Sequence, residues 1–252
     1  MDFTDDQLER YARQIVLREI GGAGQARLRG AHVAIIGAGG IGCPAIAYLA
    51  AAGIGTLRVI DPDTVSLSNL QRQILFGAED VGRPKAEVAR TAAHRLNPDC
   101  HLIPINRALD PDNAASLLRG ADIILDGCDN FETRLAVSDA ATRLRIPLVS
   151  AALGAFEGQI GVWRGWEEGA PCYRCLVGEQ TTDPAQTCAE TGIVGAVAGI
   201  IGTMAALEVI RALVPFGKPA WGKLIVFDLL SRRLRELAVA RDPACPATLV
   251  PA

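Results

Sequence analysis

The chain lacks a basic excess. Its 252 residues carry 25 lysines and arginines against 28 aspartates and glutamates, a net charge of −3. That charge is spread along the chain, whereas a nucleic-acid partner calls for a basic face, so none is expected. No cationic N-terminus leads into an apolar run, so no secretory signal is read and a cytoplasmic location is expected. The longest apolar stretch, GIVGAVAGIIGTMAAL from Gly192 to Leu207, is closed by Glu208 and Arg211. It is short for a membrane span, and its glycines predict a helix buried in a core instead. There is no internal repeat, no low-complexity run and no long linker. The histidines His32, His94 and His101 match no catalytic spacing. The cysteine count is odd, at 7, which points to reduced thiols, a metal site or a reactive thiol rather than a disulfide framework.

What is present argues one continuous globular domain. Half of the residues are hydrophobic, enough for a sizeable core. Residues 4 to 20 predict an N-terminal helix capped by Thr4, with Leu8, Tyr11, Ile15 and Val16 as its apolar stripe. GGAGQARLRG reads as a link to a first strand, HVAIIG. Further strands are expected at TLRVID, ADIILDGCD and IPLVSAAL. Helices are expected at Gly42 to Ala52, Pro84 to Leu96 and Asn130 to Leu144. This alternation predicts an α/β fold with a doubly wound, mostly parallel, Rossmann-like sheet. After residue 150, EGQIGVWRG and KLIVFDLLSRRLRELAV read as antiparallel strands and a hairpin. A long buried helix over about 192 to 213 lies between them.

VAIIGAGGIG places Gly37, Gly39, Gly40 and Gly42 between a strand and a helix, the context of a phosphate-cradling turn. Asp61 ends the next strand, where it could bond a ribose hydroxyl. The turn alone leaves NAD, FAD or another nucleotide open. The residues that follow favour chemistry at a phosphoryl group. Asn69, Arg72 and Gln73 lie just beyond the ribose-binding strand, and Arg83 and Lys85 lie at a helix start. Fixed cations there stabilise charge that develops on phosphate during reaction. LDGCDN adds Asp126, Asp129 and Asn130 at the carboxyl end of a strand, where a carboxylate could hold Mg²⁺. Two alternatives stay open: an NAD-dependent oxidoreductase, for which no proton-handling residue stands out, and a non-catalytic nucleotide-binding scaffold. Cys172 and Cys175 in CYRC have metal-ligand spacing, and Cys43, Cys100 and Cys128 read as small buried hydrophobes.

RYARQ, GAGGIG, DPDTVSLSNLQRQ, GRPK, DGCDNFETR, CYRC and TCAETGIVG occur in this order across nearly the whole chain. Together they resemble the bacterial E1-like adenylyltransferases of the ThiF, MoeB and HesA type, which activate ubiquitin-like sulfur carriers. The resemblance implies ATP-dependent adenylation of the C-terminal glycine carboxylate of a small carrier ending in Gly-Gly, with Mg²⁺, for thiamine, molybdopterin or related sulfur transfer. It implies Asp61 as ribose ligand, Asn69, Arg72 and Lys85 as phosphate contacts, and Asp129 as the carboxylate supporting Mg²⁺. It further implies a homodimer in which Arg13 acts in the partner's site, Cys188 as an acceptor of the activated group, and a sulfurtransferase as a further partner. Residues 1–30 would form an N-terminal arm, 31–150 the nucleotide half, and 151–252 the carrier-binding and dimer half. In the family CYRC pairs with a second C-x-x-C to bind Zn²⁺. Here Cys245 is present, but Thr248 stands where the fourth cysteine would be.

Overall fold

The computed structural model describes residues 3–178 and 192–248. One eight-stranded sheet runs through it in the order β3-β2-β1-β4-β5-β6-β7-β8. The parallel part comprises β1 (His32–Ile36), β2 (Thr56–Ile60), β3 (His101–Ile105), β4 (Ile123–Asp126) and β5 (Leu148–Leu153). The antiparallel part adds β6 (Glu157–Trp163), β7 (Lys223–Asp228) and β8 (Arg233–Ala238). The chain winds outward from β1 to β3, then starts again on the other side with β4. The β1–β4 gap is therefore the switch point at which open α/β sheets bind their ligands.

The central strands are buried on both faces, which is why they read as continuous apolar runs rather than alternating ones. In β1, Val33 and Ile35 face one core while Ala34 and Ile36 face the other. The first core is covered by α3 (Gly42–Ala51), α4 (Lys85–Leu96) and α8 (Gly195–Leu213). The second lies under α5 (Ala114–Leu118), α6 (Phe131–Leu144) and α7 (Tyr173–Val177). α8 has a buried face running from Val197 to Val209, and Glu208 on it pairs with Arg211 at 3.2 Å. It is the one helix among the described residues long and apolar enough to cross a membrane, and here it packs against α3 and the sheet.

Two local expectations are corrected, and one strand is added. The N-terminal helix, α1 (Asp5–Ile15), stops short of residue 20, and of its expected stripe only Tyr11 is buried, with Val16 76% exposed. Its start is as expected, with a capping box between Thr4 and Gln7. The glycine-rich stretch expected as a link is a helix, α2 (Gly21–Gly30), held by buried Gln25 and Leu28. Gly24 has the reason: a Cβ there would stand 2.8 Å from Val214 Cγ1, so the residue that argues against helix locally lets this helix pack closely. β3 was not anticipated. It contains Pro104 opposite Val59, and it is an edge strand, where a missing N–H is tolerated.

Candidate active site

Above the carboxyl ends of β1 and β4 lies a cleft of about 400 Å³. The turn after β1 forms one wall. Gly37 takes a left-handed φ of 88°, and its N–H bonds the Ile60 carbonyl at 2.9 Å. Gly39 and Gly40 line the cleft, whereas Gly42 sits behind it at the start of α3, where a Cβ would be 1.9 Å from the Gly37 carbonyl oxygen.

Asp61 follows β2 and is only 4% exposed. Its carboxylate accepts the N–H of Ala38 at 2.6 Å and of Asp63 at 2.8 Å, tying the glycine turn to the next loop. Burial pushes its pKa up, opposed by nearby Lys85 and by these two backbone donors. Lys85 opens α4 with its side chain 6% exposed, and its Nζ donates to Asp63 Oδ2 at 2.8 Å. The Arg72 guanidinium donates to the Ser68 carbonyl at 3.1 Å, and its stem passes beside Gly40. Asn69 is half-buried and not among the cleft's lining residues. Its carbonyl accepts the N–H of both Arg72 and Gln73 at 3.0 and 2.9 Å, so it shapes the turn that carries Arg72.

Across the cleft, the loop after β4 brings exposed Asp129 and Asn130 to the same space. Asn130 caps α6, accepting the Thr133 N–H at 2.9 Å. Cys128 also lines the cleft; burial and the neighbouring Asp126 push its thiol well above its ordinary pKa. Arg72, Lys85, Asp61 and Asp129 therefore converge, together with the glycine turn, although they are far apart in the chain. Arg13 does not join them: it lies exposed in the last turn of α1. Cys188 falls outside the described residues.

Gln73, which the sequence places beside Arg72, also lines the cleft, as do two residues given no role by sequence reasoning, Arg134 and Tyr173. Gln73 is 4% exposed and its Oε1 is buried without a partner. Arg134 stood within the quoted DGCDNFETR motif, one helical turn past Asn130. That spacing is the signal that could have placed it against the loop. Tyr173 was hidden between the two cysteines of CYRC.

Those cysteines form a separate cluster. Cys172 caps α7, Cys175 lies within it, and Cys245 arrives from near the C-terminus. The Cys172 sulfur is 3.8 Å from that of Cys175 and 3.6 Å from that of Cys245. A tetrahedral ion with bonds of about 2.3 Å to sulfur needs sulfurs about 3.8 Å apart, so three donors fit Zn²⁺. No fourth His, Cys, Asp or Glu joins them among the described residues. Thr248 ends the last described turn, Pro246–Thr248. Burial pushes the Cys172 thiol up to about 12 and raises that of Cys245, so these two hold protons when no metal is bound. Arg174 anchors the helix to α6 by a two-pronged bond to Asp139, at 2.6 and 2.8 Å.

Known proteins resemble this chain in sequence and in fold. A molybdopterin-synthase adenylyltransferase of Escherichia coli is 42% identical over 244 residues, covering 97% of each chain. A sulfur carrier protein adenylyltransferase of Thermus thermophilus is 42% identical over 98% of this chain and 92% of its own. A sulfur carrier protein ThiS adenylyltransferase of Escherichia coli is 43% identical over 96% of both. Among solved structures, Escherichia coli MccB superposes with a TM-score of 0.83 at 23% identity, covering 98% of this chain and 73% of its own, a likeness of fold. The ThiF family model matches residues 11–247, which takes in the glycine turn, the cleft and all three clustered cysteines, and the chain belongs to the ThiF family.

Proposed function

We propose that this chain uses ATP to adenylate the C-terminal glycine carboxylate of a small ubiquitin-like sulfur carrier, releasing pyrophosphate. The observation that carries this reading is the convergence of Arg72, Lys85 and Asp129 with the glycine turn on one cleft. The names of the relatives agree with it, and none of those above is an oxidoreductase.

The chemistry asks little of a general base. A carboxylate is already a nucleophile at neutral pH; its oxygen attacks the α-phosphorus, and the bond to the β-phosphate breaks with its electron pair leaving on pyrophosphate. The work left to the protein is positioning and charge balance. Backbone N–H groups of Gly39 and Gly40 and the start of α3 at Gly42 would cradle phosphate, with Gly37 shaping the turn that presents them. Asp61 would hold the ribose, and Arg72 and Lys85 would meet the phosphates, with Lys85 exchanging Asp63 for them. Asn69 would keep Arg72 in place. Asp129, flanked by Asn130, would hold Mg²⁺, whose charge offsets that of the departing pyrophosphate. Cys172, Cys175 and Cys245 would hold Zn²⁺ as a structural staple.

Residues 1–30 form the arm in this reading, 31–150 the nucleotide half, and 151–252 the half for carrier and dimer contacts. Leu8, Val16 and Leu17 are exposed apolar residues on the arm, beside exposed Arg13, which suits a second copy of the chain placing Arg13 in its partner's site. Phe156, Leu230, Leu234 and Leu237 give the antiparallel end an exposed apolar surface suited to a carrier. Cys188 would accept the activated group, and a sulfurtransferase would supply sulfur.

The test is ATP–pyrophosphate exchange in the presence of a carrier ending in Gly-Gly, with the carrier tail weighed by mass spectrometry. Exchange that depends on the carrier, with an adenylate on its tail, is expected. Asp129→Ala should lower it by about 100- to 1,000-fold, with little change in stability because the side chain is exposed. Exchange indifferent to the carrier, or full activity in Asp129→Ala, would overturn the reading.

A further inference from the structure

Asp129 stands on an exposed loop, yet the residue immediately before it, Cys128, is held at both its N–H and its carbonyl. Asp126, 1% exposed, accepts the Cys128 N–H on Oδ1 at 3.0 Å. Arg134 Nη2 donates to the Cys128 carbonyl and also, at 2.8 Å, to the Ala151 carbonyl of β5. The guanidinium is almost entirely buried, with a side-chain exposure of 9%, and Asp126 Oδ2 lies 3.8 Å from its Nη1. Nη1 itself has no hydrogen-bond partner. Neutralising Asp126 needs no bridge between two carbonyls on different elements, so charge pairing alone leaves this geometry unexplained. Beyond Ala151, residues Ala152 and Leu153 line the same cleft as the glycine turn.

We propose that Arg134 is a positioning residue that clamps the peptide before Asp129 to the end of β5, fixing the acidic loop against a strand whose last residues line the same cleft. It rests on the reading above that Asp129 works at the nucleotide. Arginine suits the task because the two N–H bonds of Nη2 are fixed in the guanidinium plane and reach the two carbonyls at set angles, which a lysine ammonium on a flexible stem cannot reproduce.

Arg134→Lys tests it, since the charge beside Asp126 is kept while the fork is lost. The expected result is a kcat for carrier-dependent exchange lowered about 10- to 100-fold, the penalty of misplacing a reacting group, with the KM for ATP little changed. Backbone amide exchange of residues 127–130 should rise in the variant while that of β4 stays as in wild type. Wild-type kcat with unchanged loop exchange would overturn the proposal and leave Arg134 a counter-ion. Loss of ATP binding in proportion to kcat would overturn it equally. Should the variant not fold, wild-type protein supplies a second measurement: Arg134 Nη2 should show NMR coupling through the hydrogen bonds to the Cys128 and Ala151 carbonyl carbons, and its absence sinks the clamp. The amide and coupling measurements require no carrier and no turnover. A wild-type protein inactive in exchange would therefore remove the adenylation reading, while the clamp would stand or fall on those measurements.

Discussion

Gly39→Ala separates what the glycine turn does for the fold from what it does for a ligand. A Cβ at Gly39 would meet only Gln73 Nε2, at 3.8 Å, an ordinary contact. Stability should therefore change by no more than about 0.5 kcal/mol. The methyl would nevertheless enter the cleft, where the backbone is expected to approach phosphate. Losing one charge-assisted hydrogen bond there costs about 1.5–3 kcal/mol, so the Kd for ATP should rise roughly 10- to 150-fold. Gly42→Ala is the contrast. Its Cβ would stand 1.9 Å from the Gly37 carbonyl oxygen, so the chain must move by more than an ångström. Overpacking of that kind costs about 1–3 kcal/mol, a fall in Tm of roughly 2–12 °C in a domain of this size. Thermal denaturation and calorimetric titration with ATP on both variants read the two effects separately. If Gly39→Ala binds ATP as wild type does, or if it loses stability as Gly42→Ala does, the assignment of Gly39 to phosphate is wrong.

Two further outcomes are expected. Asn97, fully buried, donates to the Tyr11 hydroxyl and to the Ala50 carbonyl, both at 2.8 Å, and so ties α1 to the body. Asn97→Ala should cost about 1–3 kcal/mol, read in urea denaturation, and a change within error would show that the tie carries no stability. At the cysteine cluster, burial pushes the Cys172 thiol up to about 12 and raises that of Cys245, so an ion can bind there only by displacing protons. Zinc affinity should thus rise with pH below neutrality and above it, lost as pH falls; competition with a chromophoric chelator across pH 6 to 8 reads it, and a flat profile refutes thiolate ligation.

The sheet's middle was legible because its strands are short apolar runs closed by glycine or aspartate, as in HVAIIG and ADIILDGCD. What escaped notice depends on partners distant in the chain. α2 could not be read from its glycines, since Gly24 is tolerated only because Val214 requires close approach. β3 was concealed by Pro104, harmless at a sheet edge. In the site, Arg72, Lys85 and Asp129 were visible as charges flanking recognisable turns. Arg134 was not, because its work is done on the carbonyls of Cys128 and Ala151, and backbone acceptors leave no mark in a sequence.

The shortest feature with the widest reach is α7. Across four consecutive residues, Cys172 and Cys175 face the sulfur cluster, Arg174 grips α6, and Tyr173 walls the cleft, set edge-on to Trp163 at 6.5 Å. A single turn of backbone thus serves as hinge pin for two chambers. Stripping an ion from one chamber would slacken a wall of the other without disturbing a strand. Protein prepared in a strong chelator should then look well folded by its secondary structure and still hold its nucleotide poorly.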